Sequence, residues 1–126
     1  MKRTIIITLL IISSIQTIKA QEENEFELIT SGKWHIEYME MSGQKMTLPA
    51  EMQQNNWVIF HANGKQEGME EGKKYVGKWE FDKEKRIIKT NDLDGIVEQK
   101  LISVTKDKLI VSVKEQGAEM IMGMKK

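Results

Sequence analysis

The chain reads as all-β: an eight-stranded antiparallel up-and-down barrel preceded by a short N-terminal helical turn. Three observations carry that expectation. Beyond residue 31 apolar and polar side chains alternate with period two, the mark of half-buried strands. Short polar or glycine-bearing turns interrupt the alternation roughly every dozen residues, so neighbours in sequence should pair antiparallel. The only helix-like pieces are residues 24–29 and the stretch after Pro49, too little to cover an open sheet. A lone meander would leave one whole face and two edges in water, and closing it on itself removes both problems. A two-sheet sandwich is the alternative, but its Greek-key crossings need longer connections than most of these turns.

In chain order, residues 1–20 read as a secretory signal peptide: Lys2 and Arg3 precede an apolar run, and the small Ala20 sits at a plausible cleavage point. This leader holds 3 of the 19 basic residues and none of the 19 acidic ones, so the domain expected over 21–126 carries a net charge of −3. Strands are expected at 33–41, 56–61, 65–70, 74–81, 86–90, 96–104, 108–114 and 118–125. Asn63-Gly64 suits a type I′ hairpin, and Asp94-Gly95 and Gln116-Gly117 allow positive φ. Alternation puts Trp34, Ile36 and Tyr38 on one side of the first strand, opposite Met39 and Met41, and puts Tyr75, Gly77, Trp79 and Phe81 on one side of the fourth. Leu109, Val111 and Val113, then Met120, Met122 and Met124, continue the apolar side. Ile87-Ile88 and Leu101-Ile102 are apolar on both sides and leave the choice open. The longest connection, 42–55, holds Met46, Leu48 and Met52 and a short helix beginning near Pro49, placed to act as a lid over one mouth. Phe26, Leu28 and Ile29 are placed to plug the other.

Composition excludes several classes. Basic residues are interleaved with acids rather than clustered, which argues against nucleic acid. The apolar run of the leader is shorter than the ~20 residues needed to cross a bilayer and no later stretch approaches that length, so no membrane insertion of the mature chain is expected. The chain contains no cysteine, so its stability must come from burial, and no lipid-anchor cysteine is available. The expected location is the periplasm or the medium.

Gly32-x-Trp34, opening the first strand after a short turn, resembles the lipocalin signature. Phe60-x-x-x-Gly64, Tyr75-x-Gly77-x-Trp79 and Thr105-x-Asp107-x-Leu109 are similar to the small lipocalin-like domains exported by bacteria. The resemblance spans nearly all of 21–126 and implies a barrel with a broad binding role, its tryptophan packed across the closed end. The chain lacks the long C-terminal helix, the disulfide cysteines and a clear basic motif near the end that full-length lipocalins carry.

The candidate ligand-binding residues are Trp34, Ile36, Tyr38, Trp57, Tyr75, Trp79, Met120, Met122 and Met124, suited to a hydrophobic or amphipathic molecule held in the barrel. A core filled solid by the same aromatic rings is the competing arrangement. Eight methionines remain beyond the initiator. They replace leucine in a core, line an adaptable pocket, or offer thioethers to a soft metal such as Cu(I). A protein-binding module, an inhibitor or envelope adaptor, is a further alternative, using the rim or the outward Met39/Met41 surface. His35 and His61 read as surface residues, and two histidines cannot make a three-histidine zinc site. Residues 90–95 start like a calcium loop but offer Thr90 first and Leu101 twelfth, so a polar hairpin turn fits better. The chain has no cysteine nucleophile, G-x-S-x-G elbow, H-E-x-x-H or phosphate loop, and strand acids such as Glu37, Glu40 and Glu80 should point outward. Neither an enzyme nor a cofactor is expected.

Overall fold

A computed structural model describes residues 25–92 and 95–126, so the leader expected over 1–20 lies outside the described residues. Among the described residues the fold is a closed antiparallel barrel of eight strands with one extra strand and two short helices. Helix α1 covers residues 25–29. It is followed by β1 (Lys33–Met41), β2 (Gln44–Thr47), α2 (Ala50–Asn55), β3 (Trp57–Phe60), β4 (Lys65–Glu70) and β5 (Lys73–Asp82). Then come β6 (Ile87–Asp92), β7 (Gly95–Val104), β8 (Lys108–Glu115) and β9 (Ala118–Lys125). The sheet runs β2-β1-β3-β4-β5-β6-β7-β8-β9, and β9 returns to pair with β1. That pairing closes the ring and leaves no free edge between the first and last barrel strands.

The extra strand is β2, where the sequence predicts only loop. Its residues QKMT are all exposed, so no buried face marks it. It forms because β3 accompanies β1 only from Lys33 to His35, leaving the backbone of Tyr38–Met41 to be paired by Thr47–Gln44. Pro49 caps α2, whose first amide bond runs from Gln53 N–H to Pro49 O at 3.0 Å.

Two bulges decide which side chains enter the barrel. The β1–β9 register shifts between Ile36 and Tyr38, so two residues of β1 pass one step of β9. Trp34 and Ile36 face inward as expected, but Tyr38 crosses to the outer surface and Met39 turns in. The outward Tyr38 ring lies over Gly123, within 2.0 Å of where a Cβ would stand, with Lys45 Nζ 4.2 Å from its centroid. The second bulge, between Leu101 and Ser103 against β8, exposes Ile102 while Leu101 stays buried. In β6 it is Ile88 that is buried.

The turns carry one correction. Asn63-Gly64 is not a type I′ pair, since only Gly64 has positive φ there; a three-residue loop closes with His61 N–H on Lys65 O at 2.9 Å. Gln116 and Gly117 are both left-handed, as are Ser42-Gly43 and Glu71-Gly72, and these do form two-residue turns.

One end of the barrel is packed shut. Ile29 and Trp34 are fully buried, and Trp34 Nε1 donates to Ile29 O at 2.9 Å. Phe26 stacks on Trp79 at 5.7 Å, Phe60 meets Trp79 at 5.0 Å, and Trp79 Nε1 donates to His61 O at 2.7 Å. Glu25 takes Arg86 at 2.5 Å, tying α1 to the β5–β6 turn and raising the guanidinium pKa through that hydrogen bond. Lys126 Nζ bonds Ser31 Oγ and lies 5.1 Å from the Trp34 ring, so a basic residue does cover the tryptophan despite the absence of a legible motif. Each indole buries roughly 150–250 Å². At ~25 cal/mol per Å² that contributes about 4–6 kcal/mol before entropy is counted.

Candidate functional site

The strand ends at the other end of the barrel leave room. The C-terminal halves of β1, β4, β6 and β8 meet the N-terminal halves of β3, β5, β7 and β9 around a cavity of about 300 Å³ open to solvent. Its floor is Phe60, Val58 and Met124, the top of the packed end. One wall, from β1, β8 and β9, presents Ile36, Met39, Val113, Met120 and Met122. The facing wall, from β4 to β7, presents Gln66, Tyr75, Thr90, Val97 and Gln99. Asn56, Glu70 and Asp92 stand among the lining at the rim.

Local structure explains each position. Gly68 leaves space on β4 for the Tyr75 ring, which stands 2.2 Å from where a Cβ would be. Gly77 brings β5 so close to β6 that a Cβ would lie 2.6 Å from Asn91 O. Asn56 holds the rim, its Nδ2 donating to Met52 O at 2.8 Å and its Oδ1 accepting from Glu71 N–H at 3.1 Å. Thr90 and Gln66 are buried, and Gln66 Oε1 has no hydrogen-bond partner. A buried amide oxygen without a donor is uncommon because it forfeits its hydration without return.

Of the expected ligand-binding residues, Ile36, Trp57, Tyr75, Met120, Met122 and Met124 border this cavity. Trp34 and Trp79 are instead buried in the packed end, and Tyr38 is outside the barrel. Trp57 only edges the cavity: the pleat puts it on the face of β3 opposite the buried Val58 and Phe60, and Lys33 Nζ sits 4.1 Å over its ring. Met46, Leu48 and Met52, expected as a lid, do not border the cavity; Leu48 is buried, while Met46 and Met52 are exposed. Met46 pairs with Met39 across the β1–β2 ribbon, so it emerges on the face that continues the inner wall.

Sequence reasoning missed Met39 and the polar lining Gln66, Thr90 and Gln99. Met39 was hidden by the bulge. For the others a signal was present: each shares a strand face with Gly68, Ile88 or Leu101, and a polar residue on an apolar face is a candidate for contact with a ligand.

The expected surface acids lie away from the cavity. Glu37 accepts from Lys108 Nζ at 2.8 Å and lies 3.6 Å from Lys125 Nζ on the outer β1–β9 seam. The Lys108 hydrogen bond, aided by the charges of both lysines and opposed by partial desolvation, holds its carboxyl below the usual carboxylate range. Glu67 is lowered likewise by hydrogen bonds from His61 and Lys65. His35 Nδ1 donates to Gln53 O at 2.8 Å, fastening α2 to β1, so both histidines have structural partners. Residues 90–92 and 95 continue as β6 and β7, the hairpin expected there, with 93–94 outside the described residues. Among the described residues no group of three His, Cys, Asp or Glu side chains could hold a metal ion, and no helix is long and apolar enough to cross a membrane.

Fold and cavity together define a class: a closed eight-stranded antiparallel barrel, compatible with a lipocalin-like fold, packed at one end and hollow at the other. No known protein family matches the chain, and no curated protein matches it.

Proposed function

We propose that this is an exported lipocalin-like protein that holds a small hydrophobic or amphipathic molecule in the open end of its barrel, without catalysing a reaction on it. The observation that carries this reading is the cavity itself: about 300 Å³, open at one end, with a methionine wall. That volume is at the lower end of the range for small-molecule sites, and unbranched thioethers adapt to varied apolar shapes. Support for export comes from the signal-peptide pattern of residues 1–20, and the periplasm or the medium is the location proposed with it.

The test has two arms. The protein, matured from its own leader in a bacterial periplasm, is weighed under native and denaturing conditions. It is also titrated with N-phenyl-1-naphthylamine, a neutral apolar dye that brightens on leaving water. An organic mass released on denaturation, or saturable one-to-one dye binding, is the expected result. Absence of both would overturn the reading. A cuprous-ion adduct instead would move it to the thioethers of Met39, Met120 and Met122, which the bulge brings to one wall.

A further inference from the structure

We propose that the protein carries a Cu(I) site made of the thioethers of Met39, Met120 and Met122, with Met41 and Met46 extending the same sulfur-bearing face out to solvent. This goes beyond the reading of the cavity as a place for an organic molecule, because it needs the methionine face alone, whether or not anything else fills the barrel.

Register builds that face. Beyond the bulge, β2 and β9 flank β1 on its two sides, and directly opposed residues of adjacent strands share a face. One row across the three strands is Met46, Met39 and Met122; the next is Gln44, Met41 and Met120. Five of the eight methionines beyond the initiator therefore stand at adjoining positions. Opposed Cβ atoms in such a ladder are about 4.5–5.5 Å apart, within reach of flexible thioether side chains. On β8, the buried Val111 and Val113 continue the two rows past Met122 and Met120, which makes this the inner face. Without the extra residue in β1, Met39 and Met41 would lie on the outer surface and the cluster would not exist. Met39, Met120 and Met122 border the cavity and are half-buried, whereas Met41 is 52% and Met46 70% exposed.

Core packing accounts for only part of this arrangement. A half-buried methionine packs as a flexible leucine, but strands favour β-branched and aromatic residues, and Met41 and Met46 are too exposed for packing to explain them. What the five share is a soft, polarisable sulfur. Thioethers select Cu(I), whereas imidazole and carboxylate suit divalent ions. The chain has no cysteine to compete for a soft ion, and among the described residues no group of three His, Cys, Asp or Glu side chains could hold a harder one. A thioether binds no proton near neutral pH, so the site should hold its ion equally well across the range in which an imidazole site would weaken. An ion arriving at the mouth meets Met46 and Met41 first and the three half-buried sulfurs next.

The experiment uses the protein matured from its own leader and two probes. Cu(I), kept reduced without oxygen, is titrated in competition with bicinchoninate. Ag(I), a redox-inert stand-in, is added in chloride-free buffer to protein carrying carbon-13 in its methionine methyl groups. One-to-one binding is expected, with an affinity unchanged between about pH 5.5 and 7.5, a window in which imidazole titrates. The methyl resonances of Met39, Met120 and Met122 should shift, and those of Met124, buried in the core, and Met52, on α2, should not. Met39→Leu and Met122→Leu preserve bulk and should each weaken binding by at least about tenfold, whereas Met52→Leu should leave it unchanged. Absence of one-to-one binding overturns the proposal. So does an affinity that falls steeply as the pH is lowered, or binding unchanged in folded Met39 and Met122 variants. Binding of N-phenyl-1-naphthylamine without binding of either ion removes this inference and leaves the cavity reading standing; ion binding without any organic ligand or dye does the reverse.

Discussion

Replacing Gln66 by methionine should make the empty protein more stable. The side chain is 3% exposed and its amide oxygen has no hydrogen-bond partner, so folding strips it of water and returns nothing. Mutational data put the cost of such a group at about 1–3 kcal/mol. Methionine is unbranched and of similar length, and the opposite wall already accommodates Met120 and Met122, so little packing should be lost. A net gain of about 1–2 kcal/mol is expected, allowing for imperfect fit in the new rotamer. For a domain of this size each kcal/mol moves the midpoint by roughly 4–8 °C. The assay is thermal unfolding followed by circular dichroism, with urea unfolding to check that the slope is unchanged and the shift is one of stability. Gln99→Met is the control, because Gln99 is only partly buried and carries no orphaned buried atom. A Gln66→Met midpoint equal to or below that of the parent, with Gln99→Met behaving the same way, would refute the claim that an unpaired acceptor is held in the barrel wall.

Three further outcomes are expected. Trp34→Ala should cost about 3–5 kcal/mol in urea unfolding, whereas Trp34→Phe should cost less, losing mainly the indole donor to Ile29 O; equal losses would show that the ring contributes little by packing. Gly77→Ala should destabilise more than Gly123→Ala, because the added methyl meets the backbone oxygen of Asn91 in one case and the outward Tyr38 ring in the other, and an outward ring can swing aside. Glu37 has a folded pKa below its unfolded one, so its contribution is fully present above the unfolded value and is lost as pH falls through the folded value. Glu37→Gln should therefore cost under about 1 kcal/mol near neutral pH and nothing in strong acid, with the difference shrinking in high salt; a cost that grows as pH falls contradicts the pairing.

The strand pattern was legible in the chain because half-buried strands must alternate and because polar or glycine turns must separate them. The strands at 33–41, 65–70 and 118–125 begin and end where the alternation does. Closure was legible too, from the lack of any helix able to cover a sheet, and so was the role of α1, whose Phe26 and Ile29 had no other apolar surface to meet. These are local or compositional signals, and a single chain carries them whole.

What one strand's sequence could not show is where it slips against its neighbour. The bulge at Glu37 exists because β1 must serve β3, β2 and β9 in turn, and that one extra residue sends Tyr38 out and Met39 in. β2, with no buried face, forms only because β1 has backbone left to pair. The division into a packed end and a hollow end likewise depends on which rings from different strands meet: Trp34, Phe60 and Trp79 fill one end with Phe26, and leave methionines and Gln66 to line the other. Alternation along a strand is a property of its own backbone, and the sequence determines it; register, and with it the contents of the cavity, is set by hydrogen bonds between strands far apart in the chain, and only the closed tertiary structure decides it.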